Sequence, residues 1–225
     1  MKFTWYKTVV YIIGLGLLGL CVSLIQLTNL GMSSWDAMYR NLYVGIPLEY
    51  KYLNPIIALI LIPIGYGIQK KRWSLWMLFP LVISFFIGFV IDTLLLIIPS
   101  VAHLSLFWNL SYLSLSLIVC AIGLNFIVYC KYPLPALDEL CYGIGVITKK
   151  TYGFGKLIGE LIALLLAVLL GLYFQHQAVW FFIGPTTIIF SIAIGPLIQL
   201  FEKPLQKGLH HYEYHRRVRR RTEKV

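Results

Sequence analysis

The chain has 225 residues, a mean hydropathy of +0.80, 59% hydrophobic and 12% charged residues, and a formal net charge of +10. Soluble domains carry about 25% charged residues, so a single water-soluble domain is excluded. The charges gather in short connectors between long uncharged runs, the pattern of a chain solvated by lipid.

The first uncharged run, Thr8–Thr28, is longer than a signal-peptide core and lacks a small-residue cleavage site, so it reads as a retained helix. A helix needs about 20 apolar residues to cross the hydrocarbon core. Six runs approach that length: Thr8–Thr28, Leu53–Gln69, Trp73–Pro99, Leu104–Cys130, Leu157–Phe174 and Ala178–Phe201. The second carries Pro55 and Pro63, and the fifth has Glu160 in its first turn, so a five-span count is the alternative. Trp5, Tyr6, Tyr52, Trp73, Trp76, Trp108, Tyr129 and Trp180 stand at predicted ends as an aromatic belt.

Lys and Arg of short loops are retained on the cytoplasmic side. With the N-terminus inside, 17 of the 19 fall on that side, and only Arg40 and Lys51 fall outside. Both termini are therefore expected in the cytoplasm, with residues 1–201 forming one transmembrane domain and 202–225 a basic tail. Two connectors, Leu30–Lys51 and Lys131–Lys156, are long enough to hold short interfacial or re-entrant helices. Ser33 or Ser34 can cap the first, which carries Trp35, Met38, Leu42 and Tyr43. Pro135 suits the first position of the second, before Leu137, Leu140 and Cys141.

The connectors align. Leu30–Met38 matches Tyr132–Leu140 and sets Asp36 opposite Asp138. Ile87–Asp92 likewise matches Ile194–Gln199, and Trp73 matches Trp180. Each half, about 1–100 and 101–201, holds three spans. The second half is then upside down relative to the first, as in transporters with inverted repeats. The expected fold is an all-α membrane protein of about six transmembrane helices in two inverted three-helix halves.

The run Gly14-x-Gly16-x-x-Gly19, the stretch Asn29-Leu30-Gly31-Met32-Ser33-Ser34-Trp35-Asp36 and the spacing Ile87-Gly88-x-x-x-Asp92 resemble the YczE/YitT-like bacterial membrane proteins. Ser34 stands where that family usually has proline, and the second half keeps Pro135 and Asp138 without the tryptophan. The resemblance implies a multi-pass plasma-membrane protein and no established reaction.

Asp92 lies inside an apolar run, where a carboxylate costs at least about 2.5 to 3.5 kcal/mol. It either takes part in a site or is satisfied near the outer end of its helix. Asp36 and Asp138 sit in first turns, where the helix dipole favours them by about 0.3 to 1 kcal/mol; capping leads, with convergence on a shared substrate or cation site as the alternative. Glu160 sits one turn after Lys156 and reads first as a carboxylate snorkelling to the cytoplasmic boundary, and second as a coupling carboxylate. Asn54 and Asn125 are expected to bond backbone or a neighbouring helix, and Gly14, Gly16 and Gly19 to allow close packing.

Cys21, Cys120, Cys130 and Cys141 form no C-x-x-C pair and suggest neither disulfide framework nor zinc site. In the tail, Arg216, Arg217, Arg219, Arg220 and Arg221 suit an anionic leaflet better than nucleic acid. No cofactor, metal or catalytic arrangement is indicated. The leading functional expectation is a small transporter or permease using Asp36, Asp92, Asp138 and Glu160. A noncatalytic regulator or scaffold is second and a membrane-embedded enzyme a weaker third.

Overall fold

A computed structural model describes residues 4–46, 50–71, 75–174 and 182–222, with side chains described for all of these except 50–55 and 210–222. Tyr52, Asn54, Trp73, Trp180 and the five tail arginines therefore lie outside the described side chains, and with them the Trp73–Trp180 match.

Eight α-helices account for most of the described chain: α1 Trp5–Gln26, α2 Ser34–Gly45, α3 Tyr50–Ile68, α4 Phe79–Ile97, α5 Leu106–Cys130, α6 Ala136–Ile147, α7 Tyr152–Tyr173 and α8 Pro185–Thr222. A 3₁₀ turn, Leu75–Leu78, leads into α4, whose second residue is Pro80. Among the described residues five stretches are long and apolar enough to cross a membrane: Trp5–Gln26, Leu75–Ile97, Leu106–Cys130, Tyr152–Tyr173 and Pro185–Leu209. The second predicted span falls on α3, a helix of 19 residues whose start, 50–55, lies outside the described side chains; its described part, Ile56–Ile68, is apolar.

The two long connectors hold α2 and α6, each of 12 residues. Neither lies loosely on a surface: Trp35, Ala37, Met38, Tyr39 and Asn41 of α2 are buried, as are Ala136, Asp138, Glu139 and Cys141 of α6. Helix α7 begins at Tyr152, inside the second predicted connector, because Thr151 caps it by accepting from the Phe154 N–H at 3.3 Å. Helix α8 starts at the Gly184-Pro185 step, where Thr187 Oγ1 reaches back to accept from the Gly184 N–H at 3.0 Å. It runs through Pro196 and Pro204 into the basic tail, so the backbone stays helical well past Phe201.

Helices α1 and α5 cross at the centre. A Cβ on Gly14 would stand 2.9 Å from the Gly123 carbonyl oxygen, and one on Gly123 would stand 2.9 Å from that of Gly14, so only glycine permits this approach. Around this seam α4 packs on α1 and α8 on α5, while α2 packs on α7 and α6 on α3. Exchanging α1–α4 with α5–α8 interchanges these pairings, but the close packing of α7 on α6 and on α8 has only slight counterparts in α2 on α3 and α3 on α4.

The loop after α1 is tied across the molecule. The Val101 N–H donates to the Leu27 carbonyl at 3.0 Å, the Asn29 N–H to Asn109 Oδ1 at 2.9 Å, and the Thr186 N–H to the Leu30 carbonyl at 2.9 Å. Gly31 adopts φ 101° and sits against Gly184, where a side chain would be strained and crowded. This anchoring aims α2 inward. Outside the core, Phe85, Phe89 and Leu96 of α4 and Leu165 and Leu169 of α7 are exposed, an apolar perimeter suited to lipid tails. Trp5, Trp76 and Trp108 are exposed as belt residues should be, whereas Tyr129 is buried against the core.

Candidate functional site

Ser33, not Ser34, caps α2: its Oγ accepts from the Asp36 N–H at 3.2 Å and lies 2.7 Å from Asp36 Oδ2 as donor. That frees Ser34 to turn into the core, where it is fully buried. In α6 Pro135 stands at the N-cap rather than at the first helical position predicted for it, and Asp138 follows in the first turn. A helical turn and a half into α7 come Lys156 and then Glu160, one turn apart on one face.

These residues meet. Lys156 Nζ donates to Asp138 Oδ1 at 2.8 Å and lies 3.0 Å from Glu160 Oε1. Tyr152 Oη donates to the same Asp138 oxygen at 3.0 Å. On the other side of Glu160, Ser34 Oγ donates to Oε2 at 2.9 Å and lies 2.5 Å from Ser191 Oγ of α8. One hydrogen-bonded chain therefore links α2, α6, α7 and α8. Lys156 is 6%, Asp138 6% and Glu160 1% exposed, which corrects the reading of Glu160 as a snorkelling residue at the boundary. The i, i+4 pairing predicted with Lys156 holds; its depth differs. A buried carboxylate needs a paired cation and hydrogen-bond donors; Lys156 serves both carboxylates here, with Tyr152 donating to Asp138 and Ser34 to Glu160.

Asp36, Asp138, Lys156 and Glu160 line one cavity of about 200 Å³. Trp35 and Tyr39 of α2 and Phe190 of α8 add aromatic walls, while Leu18 and Cys21 of α1, Ile87 and Gly88 of α4 and Cys120 of α5 add apolar ones. Both halves of the chain contribute. Of the sequence-predicted site residues, the structure brings Asp36, Asp138 and Glu160 together and leaves Asp92 out. Ile91 lines the cavity, but Asp92 is exposed on α4.

A second polar cluster escaped sequence reading. Glu139, 1% exposed, pairs with Lys71 Nζ at 2.6 Å and accepts from Gln69 Nε2 at 2.8 Å. Lys71 also lies over the Tyr66 and Tyr142 rings, at 5.1 and 5.7 Å from their centroids. This joins the end of α3 to α6. No linear spacing relates Lys71 to Glu139, so only the fold could reveal the pair. Ser34, Trp35 and Lys156 were also missed as site residues; the sole signal for them was their closeness in sequence to Asp36 and Glu160. Asn125 behaves as predicted, its Nδ2 donating to the Ala121 and Ile198 carbonyls at 2.9 and 3.0 Å. Gly14 and Gly19 sit at close helix contacts, whereas Gly16 faces open space. All four cysteines are buried free thiols.

A chain whose described residues are helical, with five membrane-length apolar helices among them and a charged cluster at the core, is an integral membrane protein. Residues 5–203 match the family of unknown function DUF6198, and the chain belongs to that family. No curated protein and no solved structure matches it.

Proposed function

We propose that the protein is a small transporter or permease of the cell membrane for a polar small molecule or ion. In this reading it is built from two inverted three-helix halves with both termini in the cytoplasm. The observation that carries the proposal is the meeting of Asp36 and Asp138, matched positions of the sequence repeat, on the wall of one cavity between the halves. Transporters with inverted repeats place their sites at that interface, at short or broken helices. Further support comes from four pairings that interchange when the halves are exchanged, α1 on α4 with α5 on α8 and α2 on α7 with α6 on α3, although the close packing of α7 on α6 and on α8 has no equal in the first half. The bias of Lys and Arg supports the orientation. On this reading α3, a helix of 19 residues, is the sixth span. The resemblance of Asn29–Asp36 to the YczE/YitT-like proteins agrees with a multi-pass plasma-membrane protein.

The basic end of α8 is read as a contact for anionic lipid. The same feature favours the second reading, a noncatalytic regulator or scaffold, since α8 continues as helix to Thr222 beyond its apolar part.

The test is a thermal-shift screen of the purified protein against amino acids, vitamins, peptides and ions. A ligand that stabilises wild type and Asp92→Asn, but neither Asp36→Asn nor Asp138→Asn, supports the site. Silence across the library, with no flux into proteoliposomes, refutes transport. Cysteine labelling tests the orientation, and external access to residues 216–221 would overturn it.

A further inference from the structure

Where α1 begins, α5 ends and α6 turns into α7, a second cavity of about 470 Å³ shares no lining residue with the central one. Lys7 reaches its wall from the first turn of α1, Lys131 from the C-cap of α5, and Lys150 from the turn before Thr151, the cap of α7. Tyr129 and Tyr142 stand beside them, and Lys7 Nζ lies 5.5 Å from the centre of the Tyr129 ring. Glu202 is the one carboxylate among the lining residues, and it accepts from Gln206 Nε2 at 3.3 Å. Among the described residues none of the three lysines forms an ion pair. The positive-inside bias explains lysines on this side of the bundle. It does not explain why three separate segments bring theirs to one cavity.

Three ammonium groups against one carboxylate leave an excess of two positive charges on the wall, and in a concave site such charges repel one another and draw in anions. A ligand carrying one or two negative charges relieves that repulsion. The helix ends that frame the cavity mark the level where the chain leaves the hydrocarbon, and tyrosines favour that interface. Phosphate is the anion the bilayer presents there, and basic pockets between membrane helices are suited to it. We propose that this cavity binds a phosphate-bearing anion, an anionic phospholipid headgroup or a free phosphate ester, on Lys7, Lys131 and Lys150. The phosphate oxygens take charge-assisted hydrogen bonds from the three ammonium groups. Glu202 opposes any further negative charge. The site depends neither on the tail arginines nor on transport.

The full chain in neutral-detergent micelles is titrated, with thermal shift as readout, against dioctanoyl phosphatidylglycerol, glycerophosphate, and dioctanoyl phosphatidylcholine, whose phosphate is balanced by its own ammonium. Phosphatidylglycerol, glycerophosphate or both are expected to bind at least about tenfold more tightly than phosphatidylcholine. Binding of the lipid alone assigns the site to a headgroup, and glycerophosphate binding as tight as the lipid's assigns it to a free ester. Lys7→Gln, Lys131→Gln and Lys150→Gln combined are expected to abolish the preference. Lys149→Gln, Lys203→Gln and Lys207→Gln combined remove the same charge from exposed residues outside the cavity and are expected to preserve it. Glu202→Gln is expected to tighten anion binding about two- to fivefold, a gain that a misfolded variant does not produce. The proposal is overturned by silence of both anions or by phosphatidylcholine binding as tightly as they do. It is equally overturned by a preference that survives the cavity variant, by an equal loss in the outside variant, or by weaker binding in Glu202→Gln. Binding in micelles is blind to the direction of insertion, so a failure here and a failure of the proposed orientation are read separately.

Discussion

Glu160 and Asp92 are both carboxylates set inside apolar helices, and from the chain alone Asp92 looks the more demanding of the two. In the folded protein their positions are opposite. Glu160 is enclosed at 1% exposure between Lys156 and Ser34, whereas Asp92 lies on the exposed side of α4, among residues such as Phe89 and Leu96 that face outward. The difference shows what makes a membrane carboxylate costly. Depth in its own helix matters less than whether neighbouring helices close over it and whether they bring a cation when they do.

The strongest way to break this contrast is to remove the cation shared by the buried group. Lys156→Met leaves Asp138 and Glu160 enclosed without it, and a loss of about 3–5 kcal/mol is expected by SDS or urea titration in micelles. Adding Asp138→Asn and Glu160→Gln to that variant is expected to restore part of the loss, and further destabilisation instead would show that the pairing is not the source. Glu160→Gln alone keeps the Ser34 bond and the Lys156–Asp138 pair, so about 1–2 kcal/mol is expected in the same titration. Lys71→Ala acts on a cation that is 43% exposed, while Gln69 still serves Glu139, and about 1 kcal/mol or less follows. The smallest effect belongs to Asp92→Asn, within about 0.5 kcal/mol. A loss above 2 kcal/mol there would mean that a second copy or another protein encloses α4.

Much of this architecture was legible. Of the six runs that hydropathy marked, five hold membrane-length apolar helices among the described residues, and the second, Leu53–Gln69, falls on α3. The small-residue and capping signals of the connectors correctly placed α2 and α6, because a Ser at the N-cap and a Pro before a first turn act through local geometry. The start of α7 was misplaced by five residues for a related reason: Lys156 looked like a boundary charge, and Thr151 was not read as its cap. Alignment of the two connectors paired Asp36 with Asp138, and both line one cavity. Lys156 and Trp35 stayed illegible as site residues, since charge near a helix start and an aromatic near a connector have common surface explanations.

The sequence by itself determined which segments leave water, that each long connector holds a short helix, and that Lys156 and Glu160 share a helix face, because hydropathy, capping and the i, i+4 spacing are local properties. Only the tertiary structure decided that this face turns inward. Helix α7 is apolar over most of its surface, so its own residues do not choose an orientation; α2 and α6, packed against it, set Ser34 beside Glu160 and Asp138 beside Lys156. The pairing is local, but burial depends on which helices close over the pair, and no stretch of chain encodes that alone.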